Sequence, residues 1–229
     1  MANVSIHHHV PVERGSDERQ VKEVTGAGGF TEALAGLAAV VLSIIGLAGI
    51  FSQELAAIGI IAVAAALLIE GGSIAARLYR SNARMGESDV DSAEVRGGLG
   101  AESLTAVAGI ALGILALLRV DPAVLLPVSA IVLGVGLLFG SAAADRVNSP
   151  RFAGPVPPDT TGSVVRESVR MASGAHVLVG LAAIVLGIIG IASAASFVTF
   201  TLISVLCLGG ALLLSGAAIG GRLVEALRT

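Results

Sequence analysis

Four ionisable side chains lie within or at the edge of long apolar runs: Glu32, Glu70, Glu102 and His176. Glu70 precedes Arg77 by seven residues, two helical turns, so it sits about 10 Å deeper on the same helix face. A carboxylate inside a membrane is costly and by default a candidate for function; a hydrogen bond to Ser73, or snorkelling to the interface, would also accommodate it. Glu32, Glu102 and His176 each head a stripe of small residues read at alternating steps of four and three, which follow one helix face. The stripes are Glu32-Gly36-Ala39-Ser43-Gly46, Glu102-Ala106-Gly109-Gly113-Ala116 and His176-Gly180-Ala183-Gly187-Gly190. If the three stripes met, two carboxylates and an imidazole could bind a cation or share a proton. Otherwise each residue serves its own helix end: a glutamate in a first turn is stabilised by the helix dipole, although a charged histidine there is not. His176 is also the one side chain placed to ligate a haem, a chlorophyll or a metal within the apolar region. The remaining reactive groups have plainer readings. Cys207 is alone and forms no internal disulfide, and His7-His8-His9 reads as a surface run.

These residues need helices to position them, and the composition says which kind. Of the 229 residues, 55% are hydrophobic and 14% charged, against about 25% charged in a soluble domain. The charge is confined to a few segments separated by apolar runs near the 20 residues that cross a hydrocarbon core. The expected fold is all-α: a polytopic membrane protein with six transmembrane helices in three tandem hairpins. Residues 1–29 form a polar arm, expected to be disordered. Hairpin 1 covers 30–78, a polar loop 79–100, hairpin 2 101–147, a Pro-rich linker 148–168, hairpin 3 169–226 and a tail 227–229. The six helices are expected to start near Phe30, Leu55, Ala101, Ala123, Val169 and Phe197, the apolar part of the fifth beginning near Gly174. The arginines Arg77, Arg146 and Arg222 are read as closing the second helix of each hairpin, and Pro127 as lying in the first turn of the fourth helix, where proline is tolerated.

Thirteen of the 14 basic residues lie in the arm, the two long loops and the tail; Arg119 alone lies in a hairpin turn. This asymmetry places both termini and both loops in the cytoplasm, in a cell inner (plasma) membrane. The first helices align without gaps between GLAAVVLSIIGLAG (36–49) and GLAAIVLGIIGIAS (180–193), with a weaker third copy around LGILAL (112–117). Second helices align on Gly71, Gly140 and Gly216, six residues before their arginines. In that register Glu70 corresponds to Phe139 and Ser215.

The combination of LGILAL, Asp121-Pro122 in a turn and an LGxGLLxxG helix at Leu133–Gly140 resembles the HdeD-like short-repeat membrane proteins. The resemblance spans about Glu32 to Arg222, and it implies tandem hairpins, six transmembrane helices and a link to acid resistance, with no catalytic residues to carry over. The chain shows no phosphate loop, HExxH, CxxC or nucleophile–base spacing, and no basic stripe for nucleic acid. It is therefore expected not to be an enzyme, to need no cofactor, and to act as a structural or stress-response protein or as an accessory subunit. Its partners would be lipids, further copies or a larger membrane complex. A proton or small-solute pathway through Glu70, and a cofactor-holding subunit through His176, are the alternatives. The metal candidates, Glu32, Glu102 and His176, depend on the stripes meeting.

Overall fold

The computed structural model describes the backbone of residues 14–85, 89–147 and 160–226, and the side-chain surroundings within 30–72, 100–142 and 174–217. Six helices follow in order: α1 (Arg14–Leu47), α2 (Ser52–Met85), α3 (Asp89–Leu117), α4 (Pro122–Val147), α5 (Thr160–Ala192) and α6 (Phe197–Ala226). No strand occurs among the described residues. Each helix carries an apolar segment of 18 to 21 residues, long enough to cross a membrane. The chain is an all-α, multi-pass membrane protein built of three helical hairpins.

The helices outrun their apolar windows. The 34 residues of α1 extend about 50 Å at 1.5 Å per residue, beyond a hydrocarbon core of about 30 Å. Thus α1 begins at Arg14, inside the arm read as disordered; α2 and α3 take up most of the 79–100 loop; and α5 begins at Thr160 within the linker. Glu, Gln, Lys, Arg and Ala favour helix, and extending an existing helix avoids the cost of a new nucleus. For the same reason Arg77 does not close α2, which continues for eight more residues. The triple histidine at 7–9 lies outside the described residues.

The hairpin turns use backbone geometry that the sequence only partly announces. After α1, Gly49 N–H donates to Gly46 O (3.0 Å) and Ile50 N–H to Ile45 O (3.4 Å). This pair of bonds is a Schellman cap, with Gly49 at the left-handed position, φ 89°. After α3 the same two bonds recur, Arg119 to Ala116 (3.0 Å) and Val120 to Leu115 (3.1 Å). There Arg119 occupies the left-handed position, φ 64°, which a non-glycine residue enters at some cost. Its guanidinium is paired with Glu54 in the neighbouring turn. Among the described residues, the only basic side chain at this end of the bundle is thus joined to an acid from another hairpin. Pro127 is the sixth residue of α4, just past its first turn, and its ring fills the space beside Gly190.

The six helices form two shells. Helices α2, α4 and α6 touch one another along the centre, and α1, α3 and α5 occupy the three outer grooves. Helix α1 lies between α2 and α6, α3 between α2 and α4, and α5 between α4 and α6. Ile60, Val63, Leu67, Leu126, Leu133, Leu137, Val205, Leu208 and Leu212 fill the centre. Buried hydroxyls there bond back to their own helices: Ser129 to Leu125 O (2.7 Å), Thr201 to Phe197 O (2.8 Å) and Ser204 to Phe200 O (2.9 Å). Each is satisfied without a partner helix.

Every residue of the three small stripes is buried. The stripes nevertheless do not converge, because the outer helices make no contact with one another among the described residues. Each stripe instead faces a groove between two inner helices, and its tightest contacts are largely with the helix of a different hairpin. A Cβ at Gly36 would lie 2.6 Å from Gly209 O on α6, and one at Gly180 would lie 2.8 Å from Gly134 O on α4. In the third groove, Gly109 packs against Ala64 of α2 and Leu133 of α4. Only small residues permit such approaches, and in lipid, packing of this kind is a main source of helix association.

Candidate functional site

The polar cluster lies at the end of the bundle where the charged helix extensions emerge. The three outer helices set Glu32, Glu102 and His176 at the heads of their stripes, with 4%, 2% and 8% of their surface exposed. On the inner helices, Ile69, Phe139 and Leu214 point outward. The residues that follow them, Glu70, Gly140 and Ser215, turn toward the grooves. Gly140, and not Phe139, is therefore the counterpart of Glu70. The sequence register held for Ser215 but was one residue off in the second copy, because it aligned glycines rather than buried faces.

Each groove pairs an outer head with an inner position of complementary size. In the α1 groove the Ser215 hydroxyl donates to the Glu32 carboxylate and lies 3.2 Å from Leu212 O. In the α3 groove the Glu102 carboxylate fills the space at Gly140, where a Cβ would stand 2.7 Å from its Cδ. It also reaches α2: a Cβ at Gly71 would lie 3.4 Å from Glu102 Oε2 and 3.4 Å from Ser103 Oγ. That Oε2 is buried and has no hydrogen-bond partner. Glu70 is half-buried on α2, the inner helix that borders both of these grooves.

Glu32 and Glu102 thus occupy the two grooves that flank α2, and Glu70 lies on α2 itself. His176 is placed in a different groove, between α4 and α6. Its imidazole is hydrogen-bonded to the Ala211 backbone on α6, and its Nε2 has no hydrogen-bond partner. Among the described residues, no three of His, Cys, Asp or Glu are arranged to hold a metal ion. The side chain of Ser73, the partner suggested for Glu70, lies outside the described residues. Sequence reasoning missed Ser215 and Gly140 as members of the site. The available signal was the alternation of one large acid and one small residue across a groove.

Ser215 makes this geometry testable. Ser215→Ala should lower stability in detergent by about 1–3 kcal/mol, because it strips a buried carboxyl of its hydrogen bond. Ser204→Ala should cost less, since it removes only a bond within one helix. Equal losses, measured as apparent unfolding free energies, would show that the Glu32 contact contributes nothing.

No family model, curated protein or solved structure matches this chain.

Proposed function

We propose that the chain is a non-catalytic integral membrane protein of HdeD-like type, with three repeated hairpins. It would act as a structural or stress-response protein or as an accessory subunit of a larger membrane assembly. The observation that carries this reading is the centre of the bundle. Helices α2, α4 and α6 meet through aliphatic side chains that are essentially inaccessible, such as Ile60, Val63, Leu133 and Leu208. A solute path along that axis would require these side chains to separate. Reconstitution into liposomes tests the reading: the protein should leave an imposed proton gradient decaying at the protein-free rate. Faster decay would replace the proposal with a proton pathway, the reading favoured by the carboxylates around α2. The unpartnered Nε2 of His176 favours a cofactor-holding subunit, which a visible absorption band in the purified protein would establish.

The proposed setting is a plasma membrane with both termini cytoplasmic, supported by the 13 of 14 basic residues that the sequence places outside the hairpin turns. The lone exception, Arg119, is neutralised by Glu54. Reporter domains fused after Arg84 and after Thr229 should both be cytoplasmic, and an external signal from either would reverse the topology.

A further inference from the structure

Three equivalent seams join one hairpin to another: α1 against α6, α2 against α3 and α4 against α5. They are not packed alike. One helical turn in from the stripe head, two of them bring backbone onto backbone through paired glycines. A Cβ at Gly36 would stand 2.6 Å from Gly209 O, and one at Gly209 would stand 2.9 Å from Gly36 O. Gly134 and Gly180 repeat this exchange at 2.6 and 2.8 Å. In the α2/α3 seam the same positions hold Ala64 and Ala106, both fully buried. Methyl groups stand there where the other seams have bare backbone. Further along, a Cβ at Gly113 would lie 3.3 Å from Ala57 O, against 2.8 Å between its counterpart Gly187 and Pro127 O. Close backbone approach is a main source of helix cohesion in lipid, so this seam is the least cohesive of the three.

The heads of the stripes differ in the same sense. In the α1/α6 seam the Ser215 hydroxyl reaches across to Glu32 and ties the two hairpins together. In the α4/α5 seam His176 also keeps an unbonded Nε2, but behind the Gly134/Gly180 contact. In the α2/α3 seam Glu102 fills the space at Gly140 of its own hairpin, and its Oε2 faces Gly71 across the seam without a hydrogen bond. A polar oxygen left buried and unbonded is costly, whatever its charge, and water removes that cost. The cost falls on the closed seam alone. At the opposite end the same two hairpins are joined by the Arg119–Glu54 ion pair. A tether at one end and methyl packing along the middle direct any parting to the end where Glu102 stands.

We infer that the α2/α3 seam is the moving joint of the bundle: it parts at the end where the charged helix extensions emerge and lets water bond to Glu102. Hairpin 1 then swings against hairpin 2 about the turns that carry Glu54 and Arg119, while the two glycine-locked seams stay shut. Local opening of this kind belongs to the least tightly packed contact of a fold. The parting reaches Glu102 from one end only and leaves the aliphatic centre closed, so it holds whether or not the accessory role proposed above does.

The experiment measures distances between paired spin labels by electron paramagnetic resonance, on the full-length protein in lipid nanodiscs with its one cysteine replaced (Cys207→Ala). Three equivalent pairs of exposed residues flank the seams near the charged end: Ile69 with Leu104, Phe139 with Leu178, and Leu214 with Leu34. Each pair is changed to cysteine and labelled; because all six side chains are exposed, the labels leave the packing intact. The Ile69→Cys/Leu104→Cys pair should show a second, longer distance population that the other two pairs lack. Distributions of equal width for the three pairs overturn the inference. A second variant tests the part played by Glu102. A Cβ at Gly71 would meet Glu102 and Ser103 only at ordinary contact distance, 3.4 Å, so Gly71→Ser fits and offers Oε2 the hydroxyl it lacks. The longer population should then shrink severalfold. If it persists undiminished, water at Glu102 is not what parts the seam, and the inference fails.

Discussion

Replacing Gly36 by leucine is expected to break the bundle. A Cβ there would stand 2.5 Å from the Leu213 backbone N and 2.6 Å from Gly209 O, and backbone cannot swing aside as a side chain can. The helices must separate, and the contacts of the whole groove weaken with them. The loss should be about 3 kcal/mol or more, at the upper end of overpacking costs. Gly187→Leu should behave alike, since its Cβ would meet Pro127 O at 2.8 Å. Gly113→Leu should be milder, because its nearest neighbour is the flexible Ile61 side chain. Gly72→Leu and Gly174→Leu enter open space and should shift stability by no more than about 1 kcal/mol. Of the glycines that the polar segments offer as controls, Gly86 lies outside the described residues and Gly162 has surroundings outside them. Thermal unfolding in detergent decides the matter: equal midpoints for all five variants would remove the stripes as packing faces.

The second large effect is a coupling. Gly140→Leu should evict the Glu102 carboxylate from the space it fills, at a cost of about 2–3 kcal/mol. Glu102→Ala alone should cost less, because it deletes a buried acid whose Oε2 has no partner. In the double variant the leucine occupies the space vacated by the acid, and much of the loss should be recovered. The expected interaction energy is about 1–3 kcal/mol, the range for residues in direct contact. Strict additivity would mean that Gly140 and Glu102 do not share the space.

Much of this was legible in the residues. The six apolar runs and three turns gave the hairpins, and the four-three spacing of Gly, Ala and Ser gave the buried face of each outer helix. That face was readable because in lipid a small residue has little reason to line up on one side unless another backbone comes close. What the face touches was not readable. A stripe such as Gly36-Ala39-Ser43 says that something approaches, but it carries no label distinguishing α2 from α6. Helices α2, α4 and α6 gave no face at all, since their outward residues, such as Ile69, Phe139 and Leu214, are as apolar as their packed ones. The site suffered from the same blindness. Glu32 and Glu102 were found as stripe heads, and Glu70 as an intramembrane acid, yet the placing of the first two in the grooves that flank α2 depends on which groove each outer helix enters. The helix extensions were missed for a simpler reason: polarity marks the end of the membrane, not the end of the hydrogen-bond ladder.

The groove arrangement has one more consequence. The first helices of the second and third hairpins lie against the second helix of the hairpin before, and α1 closes the circle against α6. Three separate copies of one hairpin could assemble in the same way as a cyclic homotrimer. Every copy would then carry the same residue at the position now held by Glu70, Gly140 and Ser215, and the same head at Glu32, Glu102 and His176. Joining the three in one polypeptide frees those positions to differ. A lone acid can then stand between two others while the next groove receives a glycine and the last a serine. The covalent connection therefore does more than hold the hairpins together: it lets a three-fold scaffold carry a site on one side only.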